Sequence, residues 1–234
     1  MQLIPPIHSQ TFAIPRRPLF FLPGIAAALV VSGCAFLQPR ADPTRFYVLT
    51  VPAAASAGVT DGDAGLLKVG LRLVEVPAYL RTRFMVVRTG ANEIHFADFD
   101  RWAEPLDQGI GRVMKETLGS ARNVESVAVN TCGDESLDYE VAVRILACEG
   151  TRVENGRSSI CFAAAWEVRT VGTNSTAVKR GGVTAGAADW DGKDYGQLAA
   201  RLGAAIAGAG KALAADLVLD PVLNSTNNHY APRR

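Results

Sequence analysis

The sequence predicts an α/β domain, a mixed and largely antiparallel sheet backed by two main helices. Three observations lead there. Residues 138–148 and 159–169 alternate apolar and other side chains, the period of a strand with one buried face. Residues 104–118 and 195–217 instead place apolar residues three and four apart, the spacing of a helix with one buried stripe. Finally, setting aside the first 33 of 234 residues leaves 201, enough for one domain with a proper core.

Residues 1–33 read as a targeting segment. Arg16 and Arg17 form a positive n-region, and Leu19 to Val31 supply 13 mostly apolar residues, a signal h-region too short to span a bilayer. The arginine pair alone is weak support for a twin-arginine signal. Pro5, Pro6 and Pro15 lengthen the n-region unusually, which is consistent with a start codon further downstream. The run ends in Val31-Ser32-Gly33-Cys34, the pattern read by lipoprotein processing, so Cys34 is expected to be acylated, palmitate-type chains included, and to become the new N-terminus. The alternatives are an ordinary secretory signal with a chance cysteine, or an uncleaved anchor. Ala35 stands where inner-membrane lipoproteins carry aspartate, which favours the periplasmic face of the outer membrane. Several acyl chains, at about 0.8 kcal/mol per buried CH₂, make such an anchor permanent.

Residues 34–44 then form the lipidated N-terminus and tether, in which Phe36 to Thr44, with Pro39 and Pro43, reaches roughly 30 Å at about 3.3–3.6 Å per residue. The domain is expected over 45–220. Arg45 to Val51 is a first strand, and 52–65 an Ala/Gly/Ser loop. Lys68 to Val76 carries Val69, Leu71 and Leu73 with no clear polar row, predicting a strand covered on both faces, and Pro77 ends it. Arg83–Arg88 and Glu93–Ala97 flank Thr89-Gly90-Ala91-Asn92 as a hairpin. The first helix runs from Glu104 to Leu118, with Pro105 in its first turn and Gly119 at its end. Val124–Val129 is a short strand. The 138–169 hairpin follows, turning at Glu154-Asn155-Gly156-Arg157, and Thr176–Ala185 is a further strand weakened by Gly181 and Gly182. In the second helix Gly203, Gly208 and Gly210 each cost about 1 kcal/mol relative to alanine, so either the helix lies tightly across the sheet or it meets a helix of another subunit. Pro221 ends the second helix, and 221–234 is a flexible polar tail.

Beyond Cys34, the mature chain holds Cys132, Cys148 and Cys161. Pairing the two apolar faces of the 138–169 hairpin requires opposed residue numbers with an odd sum. Cys148 and Cys161 satisfy it, so a Cys148–Cys161 disulfide on the other face is the expectation, with three independent thiols the alternative.

Charge and motifs exclude several classes. The chain has 24 Lys+Arg and 23 Asp+Glu; the removed segment takes two arginines and no acid, leaving 22 against 23 and nothing to attract nucleic acid. Only His95 and His229 remain as histidines of the mature chain, and His95 reads as a surface strand residue. No GxSxG, HExxH or phosphate loop occurs, and Asp98, Asp100, Glu104 and Asp107 lack the spacing of a calcium loop. No enzyme, metal or cofactor is expected, apart from the covalent lipid on Cys34.

Phe46-Tyr47-Val48-Leu49, Val74-Glu75-Val76-Pro77-Ala78-Tyr79-Leu80, Arg83–Arg88, Trp102-Ala103-Glu104-Pro105-Leu106 and the block from Trp190-Asp191 to Leu217 occur in this order. Together they resemble the paraquat-inducible protein C family, auxiliary lipoproteins of ABC-type and MCE-type transport systems. The resemblance implies a non-catalytic outer-membrane lipoprotein of a lipid transport system that maintains membrane integrity. It would dock the conduit made by a periplasmic MCE-domain protein and, through it, an inner-membrane transporter, with homo-oligomerisation into rings as a further implication. A tethered carrier that binds lipid in its own cavity is the alternative. Read from the residues alone, Trp102-Ala103-Glu104-Pro105-Leu106 starts a helix and needs no ligand. Under the docking reading, Tyr79, Leu80 and Arg83, on a turn between strands, are the expected partner-binding residues.

Overall fold

The computed structural model describes residues 41–52, 67–129, 136–152, 157–171 and 178–218. Cys34, Cys132 and the expected tail lie outside them. Eight strands and two helices follow in the order β1 (Arg45–Tyr47), β2 (Leu67–Glu75), β3 (Phe84–Arg88), β4 (Ile94–Trp102), α1 (Leu106–Gly119), β5 (Val124–Val129), β6 (Tyr139–Arg152), β7 (Ser158–Thr170), β8 (Val178–Trp190) and α2 (Tyr195–Val218).

All strands join one mixed sheet in the order β1-β4-β3-β6-β2-β5, with β7 on the other edge of β6 and β8 outside β7. The long ladders β6–β7 and β7–β8 and the β3–β4 hairpin are antiparallel. Four shorter pairings, β1–β4, β2–β5, β2–β6 and β3–β6, are parallel. Strand β6 is the hub. One edge carries β7 throughout, while the other takes β2 along residues 139–144 and β3 at Gly150 and Thr151.

Both helices pack on the same side. Helix α1 meets β5 and β2, α2 crosses β7 and β8, and the helices touch each other. Their apolar stripes, Ile110, Val113, Met114 and Leu118 from α1 and Leu198, Leu202, Ile206 and Leu213 from α2, are fully buried against Val141, Val143, Phe162 and Trp166. Among the described residues no helix covers the other side, where Lys68 and Arg72 of β2 are exposed, so that strand is not covered on both faces as expected. The first strand is likewise shorter than expected, ending at Tyr47, and β8 runs on to Trp190.

The expected disulfide is corrected by the register. Tyr139 opposes Thr170 and Ile145 opposes Ala164, as the apolar alternation predicts. Strand β6 then holds one extra residue, Leu146, and afterwards Ala147 opposes Ala163, Cys148 opposes Phe162 and Glu149 opposes Cys161. A one-residue slip moves every later side chain to the other face. Cys148 therefore turns into the core and Cys161 to the open side, and both thiols are free.

The glycines of α2 mark packing within the chain. A Cβ on Gly203 would lie 2.5 Å from the Thr50 carbonyl oxygen, and one on Gly210 would lie 2.9 Å from Thr117 Cβ on α1. Gly208 is exposed with nothing within 4 Å. Entry to α2 is built by side chains. Asp194 Oδ1 accepts the Gly196 and Gln197 amides at 2.8 and 3.1 Å, and Trp190 donates its indole N–H to the Asp194 carbonyl at 2.6 Å.

Gly203→Ala should destabilise the fold by about 1–3 kcal/mol through overpacking, whereas Gly208→Ala should stabilise it by about 0.5–1 kcal/mol, both read as urea midpoints. In the native protein an alkylating reagent should modify Cys161 slowly, because burial pushes its thiol pKa up, and should reach Cys148, raised by complete burial, only on unfolding. A non-reducing peptide map joining Cys148 to Cys161 would contradict the register.

Candidate docking surface

Three of the sequence segments singled out above converge at the start of α1. The Trp102 amide donates to the Arg83 carbonyl at 2.7 Å, and the Ala103 amide donates to the Tyr47 carbonyl at 2.8 Å. Arg112, two turns into α1, donates to the Leu49 carbonyl at 2.9 Å and pairs with Glu104. Pro105 precedes the first helical residue and offers no side-chain cap, so the strand end is fastened instead by these bonds and by burial of Trp102 and Leu106. The motif's structural reading as a helix start holds.

Between this helix start and the short 3-10 turn Ala78–Leu80 lies a cleft of about 420 Å3. Val76, Leu80, Pro105 and Leu106 contribute its apolar lining, and Arg81, Arg83, Glu75 and Asp107 its charged groups. The segments 74–80 and 102–106, distant in sequence, thus form opposite walls. A hydrogen bond from Arg81 Nε to the Val76 carbonyl at 2.9 Å stiffens the turn.

The three expected partner-binding residues do not make one exposed patch. Leu80 is 1% exposed and belongs to the core, lining the cleft with Val76 and Leu106. Arg83 stands exposed in the cleft wall. Tyr79 is half-buried and absent from the cleft lining, its ring 5.8 Å from the Arg88 guanidinium.

Arg88 and Glu149 were not foreseen. Arg88 Nε donates to Glu149 Oε1 at 2.5 Å, and the Glu149 side chain is 1% exposed. A carboxylate so deep needs its cation, and the pairing in turn raises the Arg88 pKa. Burial first, and the adjacent Glu149 carboxylate second, push the Tyr79 hydroxyl up to about 12. At the sheet edge Asp100, also buried, accepts from the Tyr47 hydroxyl at 2.9 Å and pairs with Arg45 at 2.9 Å. Burial and that hydrogen bond raise Tyr47 to about 12 as well. Asp100 is thus held by a tyrosine and an arginine, while His95 is exposed on β4.

A second cleft, about 330 Å3, opens on the helix-free side. Its floor includes Ala142, Ala165 and Gly181, and Arg72, Arg144, Arg169 and Arg180 line it. Glu167 pairs with Arg169 and Arg180, and Glu75 with Arg144.

A family model described as the ABC-type transport auxiliary lipoprotein component matches residues 47–214. The crystal structure of a Xanthomonas campestris protein assigned to the DUF330 family superposes with a TM-score of 0.59 at 12% identity, covering 79% of this chain and 99% of that one. A crystal structure of an uncharacterized protein superposes with a TM-score of 0.57 at 16% identity, covering 74% and 98%. At these identities the two structures establish the fold alone. No curated protein matches.

The raised tyrosines predict an alkaline limit to stability. An unfolded tyrosine ionises near its ordinary value of about 10, so from there to about 12 the unfolded chain releases protons that folded Tyr47 and Tyr79 retain. Their contribution is complete below that window and is lost as pH rises through it. The urea midpoint should therefore fall across the window, and less steeply in Tyr47→Phe/Tyr79→Phe. Identical slopes would contradict the assignment.

Proposed function

We propose that this chain, which belongs to the family of ABC-type transport auxiliary lipoprotein components, is a non-catalytic outer-membrane subunit of an MCE-type intermembrane lipid transport system. Acylated Cys34 holds it to the periplasmic face of the outer membrane. The folded domain docks the outer end of the conduit formed by a periplasmic MCE-domain protein, and through it an inner-membrane transporter.

One observation carries the reading. The segments 46–49, 74–80 and 102–106 that resemble the family are brought to one place, and two of them wall the same cleft. Its apolar lining with charged groups beside it suits a protein segment better than a free acyl chain, which would need a deeper and more uniformly apolar pocket. Arginine, glutamate, aspartate and threonine supply the polar side chains there, and the lining holds no cysteine, serine or histidine.

The test is mass spectrometry of protein and lipid retained when the acylated chain is gently extracted from its own membranes. Docking predicts an MCE-domain protein with little lipid on the isolated subunit, and Arg83→Glu should reduce that capture. Stoichiometric lipid without a partner would make the chain a tethered carrier instead. Unchanged capture by Arg83→Glu would remove the cleft from the interface.

A further inference from the structure

Seven large apolar side chains are exposed among the described residues, and Phe46, Phe96 and Phe99 lie on the neighbouring strands β1 and β4. Single exposed apolar residues need no explanation, but Phe46 and Phe96 are linked through Arg101 and Phe84, and Phe99 precedes the buried Asp100 on β4, so alternation turns it to the same side as Arg101. Phe46 opposes Arg101, and Arg101 opposes Phe84 on β3. The Arg101 guanidinium sits 4.9 Å from the centre of the Phe84 ring, and Phe84 meets Phe96 edge-on at 6.3 Å. Tyr47 turns to the helix side, where it binds Asp100, so Phe46 beside it points to the open side. Phe46 is 59% exposed and Phe99 49%, values that leave about half of each ring in water.

Two features identify what covers this surface. Phe46 follows Cys34 by 12 residues, so a lipidated Cys34 keeps it within about 40 Å of the bilayer even when the link is fully extended at about 3.3–3.6 Å per residue. Arg101 also makes no ion pair with a carboxylate among the described residues, and its Nε has no hydrogen-bond partner. A cation held among phenylalanines without a counter-charge fits the boundary of a bilayer, where rings enter the headgroup region and a guanidinium meets phosphate.

We propose that the open face of β1, β4 and β3 is a membrane-contacting surface, with Phe46, Phe96 and Phe99 entering the headgroup boundary and Arg101 pairing with lipid phosphate. The inference rests on the lipoprotein reading above and adds an orientation to it. The domain does not hang freely from its anchor but lies with this face on the bilayer.

The acylated protein carrying Phe99→Trp is reconstituted into vesicles of phosphatidylethanolamine and phosphatidylglycerol, with and without brominated acyl chains. Leu146→Trp, also at an exposed position but on the β6 bulge, is the control. Flotation reports anchoring independently of fluorescence. The proposal predicts that both variants float and that bromine lowers the added emission severalfold at position 99 but not at 146, an effect weakened by Arg101→Glu. Flotation without quenching at 99, or equal quenching at both positions, would overturn the membrane-facing surface while leaving the anchor intact. Failure to float would overturn the lipoprotein reading and this inference with it.

Discussion

The rest of the structure depends on one strand running in two registers. Up to Ile145, β6 sends Val141, Val143 and Ile145 into the core; after the extra residue Leu146 it sends Cys148 and Gly150 there instead. Gly150 must be glycine, because a Cβ would lie 2.8 Å from the Trp190 ring that leads into α2. The same slip turns Glu149 to the open side, within reach of Arg88 on β3. Removing one partner of such a buried pair typically costs about 3–5 kcal/mol, so this contact fastens the β1–β4–β3 end of the sheet to the long meander.

Closure on the helix side complements that constraint. Trp166 donates its indole N–H to Asp216 of α2 at 2.9 Å, and Gly181 leaves room for it, since a Cβ there would lie 2.3 Å from the indole nitrogen. Lys179 adds a hydrogen bond to the Asp216 carbonyl at 2.9 Å. With the helices fixed to one side and to the Thr50 segment through Gly203, the described residues leave the other side of the sheet and the start of α1 open. Such a scaffold has a core on one side and leaves accessible a cleft at one helix start, an arginine-lined cleft on the helix-free side and an aromatic face at one sheet end.

Much of this was legible in the sequence, for physical reasons that also explain the misses. Both helices, β5 and the β3–β4 hairpin announced themselves through period and turn residues. The first half of the β6–β7 register followed from alternation alone. The bulge did not, because Ile145, Leu146, Ala147 and Cys148 form an unbroken apolar run in which an inserted residue leaves no trace. Glu149 was invisible for the same reason, since its burial follows from the slip. Leu80 read as a surface turn residue because turns usually are; its burial depends on residues distant in sequence, such as Leu106 across the cleft, which local pattern does not encode. The family-like segments were recognised in order, while their meeting around one cleft required the strand ends to be placed in space.

The slip is also what separates the core face from the open face at the Arg88–Glu149 contact, and it can be observed without altering the protein. Cross-strand backbone NOEs between β6 and β7 should connect Cys148 with Phe162 and Glu149 with Cys161, while Val143 remains opposite Trp166. Finding Cys148 directly opposite Cys161, with one register running from end to end, would place Glu149 in the core without Arg88 and would contradict the account of how this fold is held together.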